Sequence, residues 1–225
     1  MTPEIAIKAL RQHAVEGKAL QMAAYHKSKR PFLGVANPMI DAEVREWRST
    51  LDIDGRVKLA DGLWKSNIHE ARIAATKLLT QARINPDEAV WELIKSWVPQ
   101  FDAWAIADHA CTAGRKRVEA DSSRLDEVEL WTSSPHMWTR RAALVITLPW
   151  TKQNNPKPAD LEIRERVLGW AAGYVDDTNW FIQKSISWWL RDLGKHDPDR
   201  TRAFLETYGE RMKPFAVKDA ARKLK

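Results

Sequence analysis

The 225 residues, 44% hydrophobic and 29% charged, suit one folded domain or one elongated repeat array and exclude a disordered chain. A single cysteine, Cys111, excludes a disulfide framework and a cysteine-based metal site, and the six histidines show no ligand spacing. The formal net charge of +6 favours a polyanionic partner.

The N-terminus, Met1-Thr2-Pro3-Glu4, has no signal-peptide character, and no apolar run approaches the ~20 residues of a membrane span. A reduced, cytoplasmic, monomeric protein without a membrane partner is expected. Tyr25 leads into His26-Lys27-Ser28-Lys29-Arg30, a basic run that with Arg115-Lys116-Arg117 and the C-terminal lysines is a candidate to track phosphates. Asn85-Pro86-Asp87-Glu88 reads as an N-cap, a first-turn proline and two acids opening a helix, and Asp197-Pro198-Asp199 repeats the device. Gly194 and Gly209 fall where helices end. Glu119 to Glu129 reads as an acidic, solvated connection, Lys152 to Pro158 as a polar loop, and the stretch from Lys213 to Lys225 as basic and helix-prone. No segment alternates polar and apolar residues between hairpin turns, so the fold class is all-α.

Three stretches look alike: 70–79, 138–144 and 181–186 each set small residues ahead of an apolar half. Their separations match one or two units of roughly 35–45 residues, as in HEAT-like helical hairpins. The expected architecture is a helical-repeat solenoid, a single domain over 1–225 with a concave binding face. A globular helix bundle is the alternative.

Two indoles stand apart from a core. On a helix, Ile182, Ile186, Trp189 and Leu193 share one face, while Lys184, Trp188 and Arg191 form a second, basic stripe. Trp188 on that stripe either stacks on a ligand or packs against a cation of the next repeat. Trp104 lies one turn before Asp108, so a carboxylate sits beside an indole. Asp108 is either a functional acid, a cap on a neighbouring helix, or a partner of Arg140 or Arg141. One of those arginines is a candidate phosphate clamp. Walker, Gly-x-Gly-x-x-Gly, His-Glu-x-x-His and Gly-x-Ser-x-Gly motifs are missing.

These landmarks together resemble the AlkD-type DNA alkylation repair glycosylases, a HEAT-like repeat family. The likeness runs through Tyr25 with Phe32-Leu33-Gly34-Val35 and Pro38, Trp104-x-x-x-Asp108, Trp138-Thr139-Arg140-Arg141-Ala142-Ala143, and the stretch 181–191. The chain departs from the family where Ala36, Asn37, Met39 and Ile40 replace more polar and basic residues. The resemblance implies a monofunctional glycosylase that removes cationic N3- or N7-alkylpurines from duplex DNA in base excision repair, without metal or cofactor. It implies Asp108 as the acid facing the developing sugar cation, Trp104 and Trp188 as the stacking pair, and Arg141 at the active site. Tyr25, Lys27, Lys29, Arg30, Arg140, Lys184 and Arg191 are the expected DNA contacts. Two rivals stand beside this reading: a relative that binds bent or branched DNA without excision, and a protein-binding scaffold.

Overall fold

The computed structural model describes residues 1–224, leaving Lys225 of the basic C-terminal stretch outside the described residues. Among them are thirteen α-helices, short 3-10 turns and no strand. The chain forms two compact units, one over Met1–Ala120 and one from Asp121 onward.

The first unit holds α1 (Pro3–Arg11), α2 (Lys18–His26), α3 (Asn37–Thr50), α4 (Ile53–Lys65), α5 (His69–Leu78), α6 (Glu88–Trp97) and α7 (Trp104–Ala120). α5 is its centre and packs against α3, α4 and α7. Every residue of α5 except Lys77 is buried. Ala71, Ala74 and Ala75 put no bulk between α5 and its neighbours, which accounts for three helices converging on it. Trp64 and Trp97 stack at 4.4 Å with planes 8° apart, and the Trp64 Nε1–H donates to Gln100 Oε1.

The second unit holds α8 (Leu125–Leu130), α9 (Met137–Ile146), α10 (Pro158–Gly173), α11 (Trp180–Leu193), α12 (Pro198–Tyr208) and α13 (Pro214–Ala220). α11 is its centre and packs against α9, α12 and α13. Ile182, Ile186, Trp189 and Leu193 are fully buried, as the helical period of their positions requires, while Trp188 is half-buried. Each such aliphatic side chain contributes about 1.5–3 kcal/mol on burial. The three look-alike stretches lie on α5, α9 and α11, the most deeply packed helices of the two units.

Three local expectations change. α6 begins at Glu88, with Asp87 rather than Asn85 at its N-cap, because Pro86 lies ahead of the helix and the Asp87 carboxylate is taken by Arg117 Nη1 at 2.8 Å. The stretch 119–129 is mostly helical rather than a solvated connection: Leu125 and Val128 anchor α8 in the second unit. Arg117 is fully buried, binding the carbonyls of Ile84, Gln81 and Ala82 besides Asp87, so it clamps a loop instead of facing a polyanion. The Asp197 cap holds, accepting from Arg200 N–H at 3.1 Å, and Gly194 and Gly209 do end α11 and α12.

Candidate functional site

In the first unit the residues around Trp104 form an aromatic wall. Tyr25, 71% exposed at the end of α2, sets its ring edge-on to Trp104 at 6.1 Å. His26 lies 5.2 Å from the same indole and 4.6 Å from His69, which stacks on Phe32 at 4.3 Å. Trp104 opens α7, and Asp108 follows one turn later, both half-buried. Ala103, Ile106, Ala107 and Ala110 are buried on the rest of that helix, as their spacing demands.

The loop behind this wall is held by one carboxylate. Glu70, with no exposure, accepts the backbone N–H groups of Leu33, Gly34 and Val35 at 2.9, 2.8 and 3.2 Å. Gly34 has φ +81°, and a Cβ there would lie 2.9 Å from Ala19 N, so only glycine fits. The Phe-Leu-Gly-Val stretch is therefore a built turn that brings Phe32 onto His69.

The basic run divides. Lys27 and Lys29 are exposed. Arg30 is a correction to the expected DNA contact: it is 7% exposed, and its Nη2 donates to both Asp102 oxygens at 2.6 Å, tying the end of the α2 loop to the start of α7.

Burial disfavours the charged form of three histidines: it lowers the pKa of His26 and His109, and it lowers that of His69 to about 3, with the nearby Arg30 guanidinium adding to the effect. Among the described residues no group of three or more histidine, cysteine or acidic side chains is arranged to hold a metal. His26, His69 and His109 show no ligand-motif spacing in the sequence; their separations of about one helical-hairpin length are the one signal that could have found them.

In the second unit Arg141 is 3% exposed, with its guanidinium carbon 5.7 Å from the Trp138 ring centroid. Arg140 is half-buried and bonds Asp177 Oδ2 at 2.9 Å and the Ser134 and Pro135 carbonyls. The basic stripe of α11 is also corrected. Lys184 Nζ and Arg191 Nη1 both turn onto Asp219 of α13, at 2.8 Å each, and Ser187 adds a hydrogen bond. Burial pushes the Asp219 carboxyl up, but these donors outweigh it and hold it down to about 2. Trp188 donates its Nε1–H to Asp192 of the same helix. The two cations of the stripe are thus paired with Asp219, which lies on α13 and which a wheel of α11 alone does not reveal.

A chain with this all-helical fold and these residues has clear relatives. The family model of the DNA alkylation repair enzymes matches residues 6–224. The chain belongs to that family, which gives it a role in DNA alkylation repair with DNA as substrate. Among solved structures it is similar to a predicted DNA alkylation repair enzyme from Enterococcus faecalis, at TM-score 0.78 and 20% identity over 93% of this chain and 96% of that one. It is also similar to AlkD2 from Streptococcus mutans, at TM-score 0.61 and 17% identity over 84% and 88%. The smu.31 protein from Streptococcus mutans UA159 gives TM-score 0.64 and 19% identity over 84% and 92%. These likenesses establish the AlkD-type helical fold. No curated protein matches the chain.

Proposed function

We propose that the protein is a monofunctional DNA glycosylase that releases cationic N3- and N7-alkylpurines from duplex DNA. The observation that carries the reading is Trp104 and Asp108 one turn apart at the surface of α7, in a chain of the alkylation repair family. Alkylation at these nitrogens makes the base a cation and weakens its bond to the sugar. Departure then needs little acid catalysis, and the enzyme's task is to stabilise the sugar as positive charge develops on it.

The Asp108 carboxylate opposes that charge and accepts a proton from the attacking water. In the first unit the indole face of Trp104 holds the cationic lesion, a contact that favours charged lesions over normal bases, and in the second unit Trp188 offers an indole face to the DNA. Arg141, 3% exposed and packed over Trp138, acts by positioning α9 rather than by a direct phosphate contact. Tyr25, Lys27 and Lys29 carry the exposed part of the DNA contact in the first unit, whereas Arg30 acts through the packing of that unit and Lys184 and Arg191 through the packing of α11 on α13 in the second. No Schiff-base lysine enters this scheme.

The test is single-turnover release of methylpurines from methylated duplex DNA. Wild type should release base and leave an unbroken abasic strand, and Asp108→Asn should slow release about 100-fold or more with duplex affinity retained. Release undiminished in Asp108→Asn removes the acid from the mechanism. A wild type that binds duplex DNA and releases nothing makes the protein a non-catalytic binder.

A further inference from the structure

The first unit contains a cavity of about 350 Å³ lined from α2, α3, α5 and α7. Met22, Val35, Ile40 and Ile73 give it apolar walls. The size falls at the lower end of small-molecule sites, and an apolar slot with a few polar groups is their usual make-up.

One set of its polar groups is positive. Lys18, the first residue of α2, lines the cavity and makes no ion pair among the described residues. The N-terminus of α3 lines it too. Ala36 at the N-cap has no side chain to cap the helix, Pro38 has no N–H, and the N–H groups of Met39 and Ile40 turn back to the Ala36 carbonyl. The N–H groups of Ala36 and Asn37 are left without a partner among the described residues, at the positive end of a 14-residue helix. Glu70, Asp41 and Asp108 are the carboxylates that act on the cavity's histidines, and none of them lines it. Glu70 is held by three backbone N–H groups and Asp41 by Lys77.

The other polar feature is neutral. His69 lines the cavity, is 1% exposed, and has both ring nitrogens buried without a hydrogen-bond partner. Buried polar groups in folded proteins are nearly always paired. A neutral imidazole offers one donor and one acceptor, and a hydroxyl, which both donates and accepts, is its complement.

We infer that this cavity binds a small hydroxy acid with an apolar body. Its carboxylate meets Lys18 and the two free N–H groups of α3. Its hydrocarbon part fills the space between Met22, Val35, Ile40 and Ile73, and its hydroxyl pairs with His69. Inorganic phosphate would match the charge but leave the apolar walls uncovered. The site does not depend on glycosylase activity, and its ligand is neither the substrate nor the product of that reaction.

The experiment is calorimetric titration of the full chain with 4-hydroxyphenylacetate, beside three probes that each lack one feature. The neutral 4-hydroxyphenylacetamide and inorganic phosphate should each bind about tenfold more weakly or worse. Phenylacetate, without the hydroxyl, should bind about fivefold more weakly. Amide signals of Ala36 and Asn37 should shift in nitrogen–proton spectra as the acid is added. Lys18→Glu should weaken the acid about tenfold or more, and a glutamate in the first turn of α2 suits the helix, so the fold is kept. His69→Phe should erase the preference for the hydroxylated acid. Should that variant fail to fold, the two acids compared on wild type decide the role of His69. No binding of 4-hydroxyphenylacetate, unchanged binding in Lys18→Glu, or an amide or phosphate that binds as tightly as the acid overturns the assignment. Equal affinity for phenylacetate overturns the part given to His69.

Discussion

Trp188 donates its indole N–H to Asp192 Oδ2 at 3.1 Å, one turn further along α11. Asp192 is buried and also holds Lys195, so the carboxylate is fixed and the indole is fixed by it. On α7 the same spacing joins Trp104 to Asp108, where the acid is half-buried. Of the two Trp-x-x-x-Asp pairs, the one on α11 fixes its ring through a hydrogen bond to the acid, and the one on α7 is the pair proposed to meet the reacting sugar.

Asp192→Ala should free the Trp188 ring and slow release of methylpurines about fivefold, the equivalent of removing one hydrogen bond of about 1 kcal/mol. Single-turnover rates and duplex affinity check this. If both match wild type, Trp188 does not meet the DNA.

Glu70→Gln should destabilise the fold by roughly 1.5–3 kcal/mol, since one oxygen that serves Leu33, Gly34 or Val35 becomes an N–H donor facing donors. For a chain of this length each kcal/mol moves the midpoint about 2–4 °C. Thermal unfolding followed by circular dichroism gives the shift, and a midpoint equal to wild type would mean that the turn holds itself.

Stability should fall with acidification in a window set by His69. An unfolded histidine titrates near 6.5 and His69 in the fold near 3, so between these values the unfolded chain binds a proton that the folded chain refuses. The contribution is fully present above pH 6.5 and is lost as pH drops, at up to about 1.4 kcal/mol per pH unit. Denaturant titrations across this range should show a shallower slope for His69→Phe than for wild type. Equal slopes would place the titrating group elsewhere.

The two exposed lysines and the buried arginine should separate cleanly. Lys27→Ala with Lys29→Ala should reduce the salt dependence of duplex binding, by up to about 0.9 in the log–log slope for each phosphate no longer neutralised, with unchanged melting. Arg30→Ala should instead lower the melting temperature, because it strips Asp102 of both hydrogen bonds. A large salt-slope change from Arg30→Ala with normal melting would restore it as a DNA contact.

The helical class, the burial of Ile182, Ile186, Trp189 and Leu193 and the separate position of Trp188 were legible in the sequence. So was the Trp104–Asp108 pair. All of these are local, since a period of 3.6 residues and a spacing of four state which side chains share a face. What the chain order could not express was long-range pairing. The carboxylates that occupy Arg30, Arg117, Lys184 and Arg191 come from other elements, and a cation reads the same in sequence whether solvated or buried against an acid. The gathering of His26, His69 and His109 around one cavity likewise depended on α2, α5 and α7 packing side by side. Sequence by itself determined the helices and the faces they present. Tertiary structure decided which charges and rings those faces meet, because partner and burial belong to the packed chain and to no single segment of it.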